Sequence, residues 1–233
     1  MNFIVRQTPN AITCMNLLSG CLAIVCAWRG ESALWGLRGF EWAFIFIGIA
    51  AVADFCDGFA ARLLHAYSNL GKELDSLCDL VSFGVAPAMI LLNMFPRYAE
   101  LTWLGWGALL IPIACALRLA RFNIDTRQTT TFLGLPVPAN AIFWIGYVAL
   151  MHQGVGFLTA WYVFVPVLLL ECWLMNCSMP ILSLKFHSWG WRGNAARWLV
   201  IIAAPVSVFC LGVGGLLWLI VFYVLLSAVA KPS

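Results

Sequence analysis

Long apolar segments recur along the chain, and each is bounded by charged residues, proline or glycine. A segment of this kind can cross the hydrocarbon core of a bilayer as one helix when it is about 20 residues long. Hydrophobic residues make up 63% of the sequence and charged residues only 10%, against about 25% charged in an ordinary globular domain. We therefore expect an all-α, polytopic membrane protein rather than a soluble one.

The apolar segments predict eight spans. They lie near residues 10–28, 41–63, 71–95, 101–121, 137–153, 157–178, 195–211 and 214–230. The last two come from one apolar stretch, which is too long for a single crossing and is divided at Gly212, Gly214 and Gly215. No internal repeat or low-complexity linker interrupts the sequence, so residues 1–233 are predicted to form a single transmembrane helical bundle.

The distribution of basic residues predicts the orientation. Eight spans place both termini on one side, and ten of the thirteen Lys and Arg residues then lie on that side. Only Arg29, Arg38 and Arg97 lie on the other. The positive-inside rule makes the more basic side cytoplasmic. The net charge of +3 comes without a basic run, which argues against a nucleic-acid partner.

Four of the five aspartates fall within a short stretch that is otherwise apolar enough to form spans. They are Asp54, Asp57, Asp75 and Asp79. An ionised Asp inside a membrane helix costs about 2.5–3.5 kcal/mol, so a cation must offset the cost of four of them.

The spacing of these aspartates predicts two stripes that face each other. Asp54 and Asp57 are three residues apart, so they share one helical face with Gly58, Ala61 and Arg62. On the next helix, a second stripe repeats every four residues and consists of Gly71, Asp75 and Asp79. The short link between the two helices makes them antiparallel neighbours. The four carboxylates should therefore converge near the cytoplasmic face of the membrane.

Carboxylate oxygens without histidine or cysteine suit Mg²⁺ or Mn²⁺, and four of them are enough for two divalent ions and a phosphorylated substrate. Gly58 and Ala61 would leave room for a bulky ligand, while Arg62 offers a guanidinium for phosphate oxygens. Two other interpretations are structural ion pairs with Arg62 and Lys72, and the cation pathway of a transporter. Two bases cannot neutralise four aspartates and Glu73, and transport sites usually lie nearer the membrane midplane.

The run from Asp54 to Asp79 matches the pattern D-x-x-D-G-x-x-A-R-x8-G-x3-D-x3-D at every specified position. This pattern resembles the signature of the CDP-alcohol phosphatidyltransferase family. The flanking sequences are similar to those of the integral-membrane phosphatidylserine synthases in that family. They are PNAITCMN (9–16), GKELDSLCDLVSFGVAPA (71–88), LRLARFN (117–123) and FLGLPVPA (132–139).

The resemblance implies the family fold, and an enzyme that transfers the phosphatidyl group of CDP-diacylglycerol to an alcohol and releases CMP. Asp54, Asp57 and Asp75 would bind metal, and Asp79 would share the second metal and act as general base on the alcohol. Residues assigned to CDP-diacylglycerol are Gly58, Ala61, Arg62, Gly71, Asn10 and Thr13. Asn16, on the same span as Asn10 and Thr13, could also face the nucleotide. Membrane lipid is the other expected partner, and the resemblance also implies a homodimer.

The acceptor depends on the LRLARFN run, which is similar to a proposed serine-binding motif. It assigns Arg118, Arg121 and Phe122 to L-serine, with Lys72 placed beside them. Both arginines also fit ordinary anchoring at the cytoplasmic interface. Because phosphorylated acceptors would also require arginine, a sister enzyme for glycerol 3-phosphate or an inositol phosphate stays open.

Overall fold

A computed structural model of the chain describes residues 3–124, 132–182, 190 and 194–229. The α-helices are α1 (Phe3–Arg29), α2 (Gly39–Leu63), α3 (Asn69–Asp79), α4 (Ala86–Met94), α5 (Leu110–Ile124), α6 (Val137–His152), α7 (Trp161–Asn176), α8 (Ala195–Leu211) and α9 (Gly215–Val229). Two short antiparallel pairs join β1 (Ala33–Leu34) to β2 (Leu37–Arg38) and β3 (Phe132–Leu133) to β4 (Pro180–Ile181).

Several helices continue into one another and form longer rods. A π-helix at Leu80–Val85 joins α3 to α4, and a 3-10 helix at Thr102–Leu109 leads into α5. Five helical stretches in the described part of the chain are long and apolar enough to cross a membrane: 7–29, 39–63, 69–97, 102–124 and 195–229. Helices α6 and α7 are apolar but shorter. The all-helical membrane fold is confirmed, whereas the number of eight spans is not.

The last apolar stretch breaks at the predicted glycines. Helix α8 ends at Leu211, and Gly212 has a φ of +60°, a backbone conformation that side chains with a Cβ disfavour. A 3-10 turn at Gly212–Gly214 then leads into α9. A Cβ on Gly215 would lie 2.1 Å from the carbonyl oxygen of Ser207. The chain therefore turns back sharply, with the start of α9 against the end of α8.

Helix α6 lies at the centre of the bundle, because 12 of its 16 residues are buried. The side chain of Asn140 on α6 donates a hydrogen bond to the carbonyl oxygen of Phe83 in the π-helix, over 3.4 Å. Gly146 packs directly on α9, since a Cβ at that position would lie 2.2 Å from the backbone nitrogen of Leu217. By contrast, α1 and α2 expose large apolar side chains such as Val25 and Val52, as expected of surfaces that face lipid.

The turn between α2 and α3 is short and well capped. Ser68 precedes α3, and its hydroxyl accepts a hydrogen bond from the backbone N–H of Gly71 over 3.0 Å. Such a cap satisfies an N–H group that has no partner within the helix. The turn brings the start of α3 back toward the end of α2. The two helices make few direct contacts, however, because α1 packs against both of them.

A polar cluster occupies the opposite end of α1 and α2 and ties the 30–38 hairpin to the rest of the bundle. The hydroxyl of Tyr98 donates a hydrogen bond to Glu31 and lies 2.8 Å from Nδ1 of His152. Arg38 contacts Nε2 of the same histidine. This cluster connects the hairpin to the end of α6, far along the helices from the aspartates.

Candidate metal and nucleotide site

Three aspartates from two helices meet beside the α2–α3 turn. One carboxylate oxygen from each of Asp54, Asp57 and Asp75 lies within 4.8 Å of the others. Asp54 and Asp75 also interact electrostatically. The two stripes predicted from the spacing therefore converge as expected at these three positions.

The cluster has the chemistry of a divalent-metal site. Asp57 Oδ2 and Asp75 Oδ1 are buried and have no hydrogen-bond partner in the part of the chain that the structure describes. Within the same residues, no lysine or arginine forms an ion pair with the three carboxylates. Buried carboxylates without a cationic partner are costly. The three aspartates thus suit a cation that prefers oxygen ligands.

Asp79, the fourth aspartate of the motif, is not part of this group. It is buried one helical turn beyond Asp75, and its Oδ1 accepts a hydrogen bond from Nδ2 of Asn16 over 3.2 Å. Asp79 still interacts electrostatically with Asp54 and Asp75. The structure therefore separates three clustered carboxylates from a fourth that a different helix holds.

A cavity of about 850 Å³ opens beside the cluster. Its walls come from α1, α2, the α2–α3 turn and α3. The lining residues are Pro9, Asn10, Thr13, Asp57, Gly58, Ala61, Ala66, Tyr67, Ser68, Asn69, Leu70, Gly71, Lys72 and Asp75. Five of the six residues assigned from the sequence to the nucleotide substrate are among them, and Arg62 is not. The volume lies within the range of cavities that bind small molecules.

The small residues on the wall keep the cavity open. A Cβ added to Gly58 would meet nothing within 4 Å, whereas one on Gly71 would lie 3.0 Å from Asn10 Oδ1. Thr13 donates its hydroxyl proton to the carbonyl oxygen of Pro9 over 3.0 Å and also lies beside Asp57. Helix α1 therefore supplies polar groups to a site whose acidic side chains come from α2 and α3.

The residues of the α2–α3 turn that line the cavity, Ala66, Tyr67 and Ser68, were not predicted. They lie outside the spaced motif, and nothing in their local sequence indicates a binding role. Only the folding back of the turn over Pro9 and Asn10 brings them to the cavity wall.

The residues assigned to the acceptor lie in different places. The Arg118 guanidinium interacts electrostatically with Asp79 and Tyr223, and its Nε is buried with no hydrogen-bond partner in the described residues. Arg121 donates from Nη1 to the carbonyl oxygen of Asn176 over 3.2 Å. Phe122 is partly exposed on α5. Of the two arginines, Arg118 is the one with an electrostatic link to an aspartate of the motif.

Lys72 and Asn123 link α3 to α5. The ammonium group of Lys72 donates to the carbonyl oxygen of Asn123 over 2.8 Å. The side chain of Asn123 donates to Ser76 Oγ over 3.0 Å and to Glu73 Oε2 over 3.2 Å. Asn123 is the last residue of the LRLARFN run, and that run is the sequence signal that could have pointed to it; in the structure it connects the end of α5 to α3.

Comparisons with known proteins agree with this geometry. The chain is 35% identical over 185 residues to a CDP-diacylglycerol–serine O-phosphatidyltransferase of Mycobacterium leprae, covering 75% of this chain and 56% of the relative. For the enzyme of that name from Mycobacterium tuberculosis H37Rv, identity is 32% over 229 residues, or 91% of this chain and 73% of the relative. The Bacillus subtilis enzyme is 40% identical over 139 residues, or 59% of this chain and 71% of the relative. The chain thus spans little more than half the length of the M. leprae relative.

A sequence profile for CDP-alcohol phosphatidyltransferases matches residues 6–181. This region contains both carboxylate-bearing helices, the turn between them and the α1 segment that closes the cavity. It amounts to most of the chain. With this match, and with two of its spaced aspartates on the wall of the cavity, the chain belongs to the CDP-alcohol phosphatidyltransferase family.

Proposed function

We propose that the chain transfers the phosphatidyl group of CDP-diacylglycerol to the hydroxyl group of L-serine, giving phosphatidylserine and CMP. The observation that carries this proposal is the cluster of Asp54, Asp57 and Asp75 at the edge of the cavity. Asp57 and Asp75 line the cavity directly. This arrangement suits a substrate with a diphosphate, since metal ions bridge carboxylate and phosphate oxygens.

The nucleotide part of CDP-diacylglycerol occupies the cavity in this proposal. Gly58 and Ala61 let it approach α2 closely, Gly71 does the same on α3, and Asn10 and Thr13 supply polar contacts from α1. Arg62 lies one turn beyond Gly58 and holds the diphosphate. Bound Mg²⁺ or Mn²⁺ ions, held by the three clustered aspartates, would neutralise the charge that develops on the departing CMP.

Serine binds on the Asp79 side of the cluster. A free serine carries a carboxylate, and the guanidinium of Arg118, whose buried Nε has no hydrogen-bond partner among the described residues, suits that group. Arg121, Phe122 and Lys72 complete the acceptor region. The names of the mycobacterial and Bacillus relatives support serine as the acceptor.

The chemistry requires a base, because a serine hydroxyl is a weak nucleophile at neutral pH. Asp79 accepts the hydroxyl proton. The serine oxygen forms a bond to the phosphorus that carries diacylglycerol, and the bond from that phosphorus to the CMP oxygen breaks. Both termini and the active site face the cytoplasm in this proposal. The homodimer implied by the family stays a prediction, which the mass of the protein in detergent would test.

The proposed reaction can be tested with the purified chain in detergent. Radiolabelled serine, CDP-diacylglycerol and Mg²⁺ or Mn²⁺ should yield labelled lipid and an equal amount of CMP, and EDTA should stop both. Glycerol 3-phosphate and inositol phosphate are offered in parallel. Turnover with one of these instead of serine would overturn the acceptor assignment. No turnover with any acceptor, together with metal flux in proteoliposomes, would favour a transporter.

The role of Asp79 has its own test. Asp79→Asn should lower kcat by about 10²–10⁴-fold, which is the usual contribution of a general base. Binding of CDP-diacylglycerol should stay close to that of the unmodified protein, because the three clustered carboxylates are intact. Glu73→Gln is the matched control, since Glu73 is an exposed carboxylate on the same helix. Loss of substrate binding in Asp79→Asn would instead make Asp79 mainly a ligand.

A further inference from the structure

Helix α1 carries buried polar side chains at a spacing of three residues on the faces that contact α2 and α3. Thr13 lies beside Asp57 on α2, and Asn16 donates to Asp79 on α3 over 3.2 Å. Ser19, the next in the series, donates to the carbonyl oxygen of Phe46 on α2 over 2.7 Å. All three are buried. Of these contacts, only the one made by Asn16 reaches the fourth aspartate.

The stability of the fold does not explain why an amide side chain is buried at Asn16. The residue is 0% exposed, and its Oδ1 has no hydrogen-bond partner in the described part of the chain. A buried amide oxygen without a partner lowers stability, and an apolar residue of similar shape would avoid that cost. Among the described residues, the bond to Asp79 is the one hydrogen bond that the Asn16 side chain makes.

The backbone of Asn16 is held in place by the segment that follows Asp79. Ser82, in the π-helix, donates its hydroxyl proton to the carbonyl oxygen of Asn16 over 3.0 Å. The two helices touch here, since a Cβ on Gly20 would lie 2.3 Å from Ser82 Oγ. Asn16 and Asp79 are thus linked twice, once directly and once through Ser82. This arrangement fixes the amide relative to the carboxylate.

We propose that Asn16 is a positioning residue for Asp79 in the transfer reaction. Its N–H holds Oδ1 of Asp79, which leaves the other carboxylate oxygen to accept the proton of the attacking hydroxyl. This inference rests on the proposed function, because it assigns a partner to the general base of that reaction. It separates Asn16 from Asn10 and Thr13, which line the nucleotide cavity.

The test compares Asn16→Leu with Ser19→Ala in the purified chain. Displacing a catalytic group by about 1 Å can cost about 100-fold in rate, so Asn16→Leu should lower kcat by about 10–100-fold. The KM values for serine and CDP-diacylglycerol should change by no more than about twofold, because the lost interaction acts on the reacting step. Ser19→Ala also removes a buried hydrogen bond between α1 and a neighbouring helix, and its kcat should be unchanged.

A second pair of variants guards against a general loss of structure. Ser82→Ala removes the support of the Asn16 backbone and should lower kcat by less than Asn16→Leu does. In an Asp79→Glu background, where the carboxylate is displaced, Asn16→Leu should cost far less than in the unmodified enzyme, because the two residues act as one unit.

The outcomes distinguish this inference from the function on which it rests. If the unmodified chain shows no transferase activity, the proposed function fails. If it is active and Asn16→Leu keeps its kcat, the positioning role alone is wrong. A raised KM for CDP-diacylglycerol at unchanged kcat would place Asn16 in nucleotide binding instead. Equal losses from Asn16→Leu in the unmodified enzyme and in the Asp79→Glu background would reduce its role to packing.

Discussion

Gly58 allows binding to be tested separately from stability. A Cβ at this position would meet nothing within 4 Å, and the residue lines the cavity. Replacing glycine by alanine within a helix stabilises the folded state by about 0.5–1 kcal/mol. The same methyl group would project into the space assigned to the nucleotide. Gly58→Ala should therefore fold at least as well as the unmodified chain but bind CDP-diacylglycerol less tightly.

The size of the effect follows from the fit of a ligand to its pocket. One extra methyl or methylene group in a binding pocket changes the kcat/KM for a ligand by about 10–200-fold, or about 1–3 kcal/mol. We expect kcat/KM for CDP-diacylglycerol to fall by at least about tenfold. KM for serine should stay the same, because we propose that the acceptor binds on the other side of the carboxylates. The assay is CMP release at varied CDP-diacylglycerol, combined with thermal unfolding in detergent.

Gly48 supplies the control for this experiment. It lies on the same helix, is exposed, and a Cβ there would also meet nothing within 4 Å. Gly48→Ala should give the same gain in stability with unchanged kinetics. If Gly58→Ala also leaves kcat/KM unchanged, the nucleotide does not approach this face of α2, and the assignment of the cavity is wrong. If Gly58→Ala loses both activity and stability, the added methyl group meets protein atoms, and the space beside Gly58 is not open as described.

Three further predictions concern the metal cluster, the polar cluster at the far end and the packing of α9. Asp75→Asn should weaken Mn²⁺ binding, followed by electron paramagnetic resonance, by at least about tenfold, since even outer-shell changes cost about 10–100-fold. The pKa of Glu31 is lowered, first by the hydrogen bond from Tyr98 and then by charges that include Arg38 and Arg97. At neutral pH, Tyr98→Phe should therefore melt at a lower temperature than the unmodified chain. This difference should disappear as the pH falls through the lowered pKa of Glu31, below the ordinary value of about 4.3. Burial, followed by the bond to Glu31, raises the pKa of Tyr98 to about 12. The stabilisation from neutral Tyr98 should therefore be full below the ordinary tyrosine pKa of about 10, and it should be lost as the pH rises from there through the raised value. Gly146→Ala should destabilise the chain by about 1–3 kcal/mol in thermal unfolding, because the new methyl group would meet the backbone of Leu217.

Each of these predictions has a matched control and a contrary outcome. Glu73→Gln should bind Mn²⁺ normally, and equal weakening in both variants would argue against a specific cluster. Tyr162→Phe, at an exposed tyrosine on α7, should show no pH-dependent deficit; a deficit in Tyr98→Phe that survives at low pH would exclude the bond to ionised Glu31. Gly48→Ala controls for helix propensity, and a stabilised Gly146→Ala would mean that α9 does not pack against α6 as described.

The sequence predicts the site well where local geometry decides it. Asp54 and Asp57 share a helical face at any position in a fold, because their spacing of three residues matches the helical repeat. The short turn after Leu63 makes the next helix start close to the end of α2. For these reasons, the proximity of Asp54, Asp57 and Asp75 could be predicted from the sequence.

Contacts between distant parts of the chain could not be predicted in this way. The bond from Asn16 to Asp79 joins residues 63 positions apart, and no periodicity connects them. The same holds for the electrostatic contact of Arg118 with Tyr223 on α9. The spacing placed Asp79 on the same stripe as Asp75, but the packing of α1 against the start of the π-helix gives it a different partner.

The sequence by itself determined the all-helical membrane class, the break at Gly212 and the face on which each aspartate lies. These properties follow from apolar length, glycine geometry and helical spacing, which act over a few residues. Tertiary structure alone decided that Asp79 stands apart from the other three carboxylates, that Asn16 holds it, that α6 is central and that the α2–α3 turn lines the cavity. Such features depend on how the surfaces of separate helices fit together, and that fit involves residues far apart along the chain.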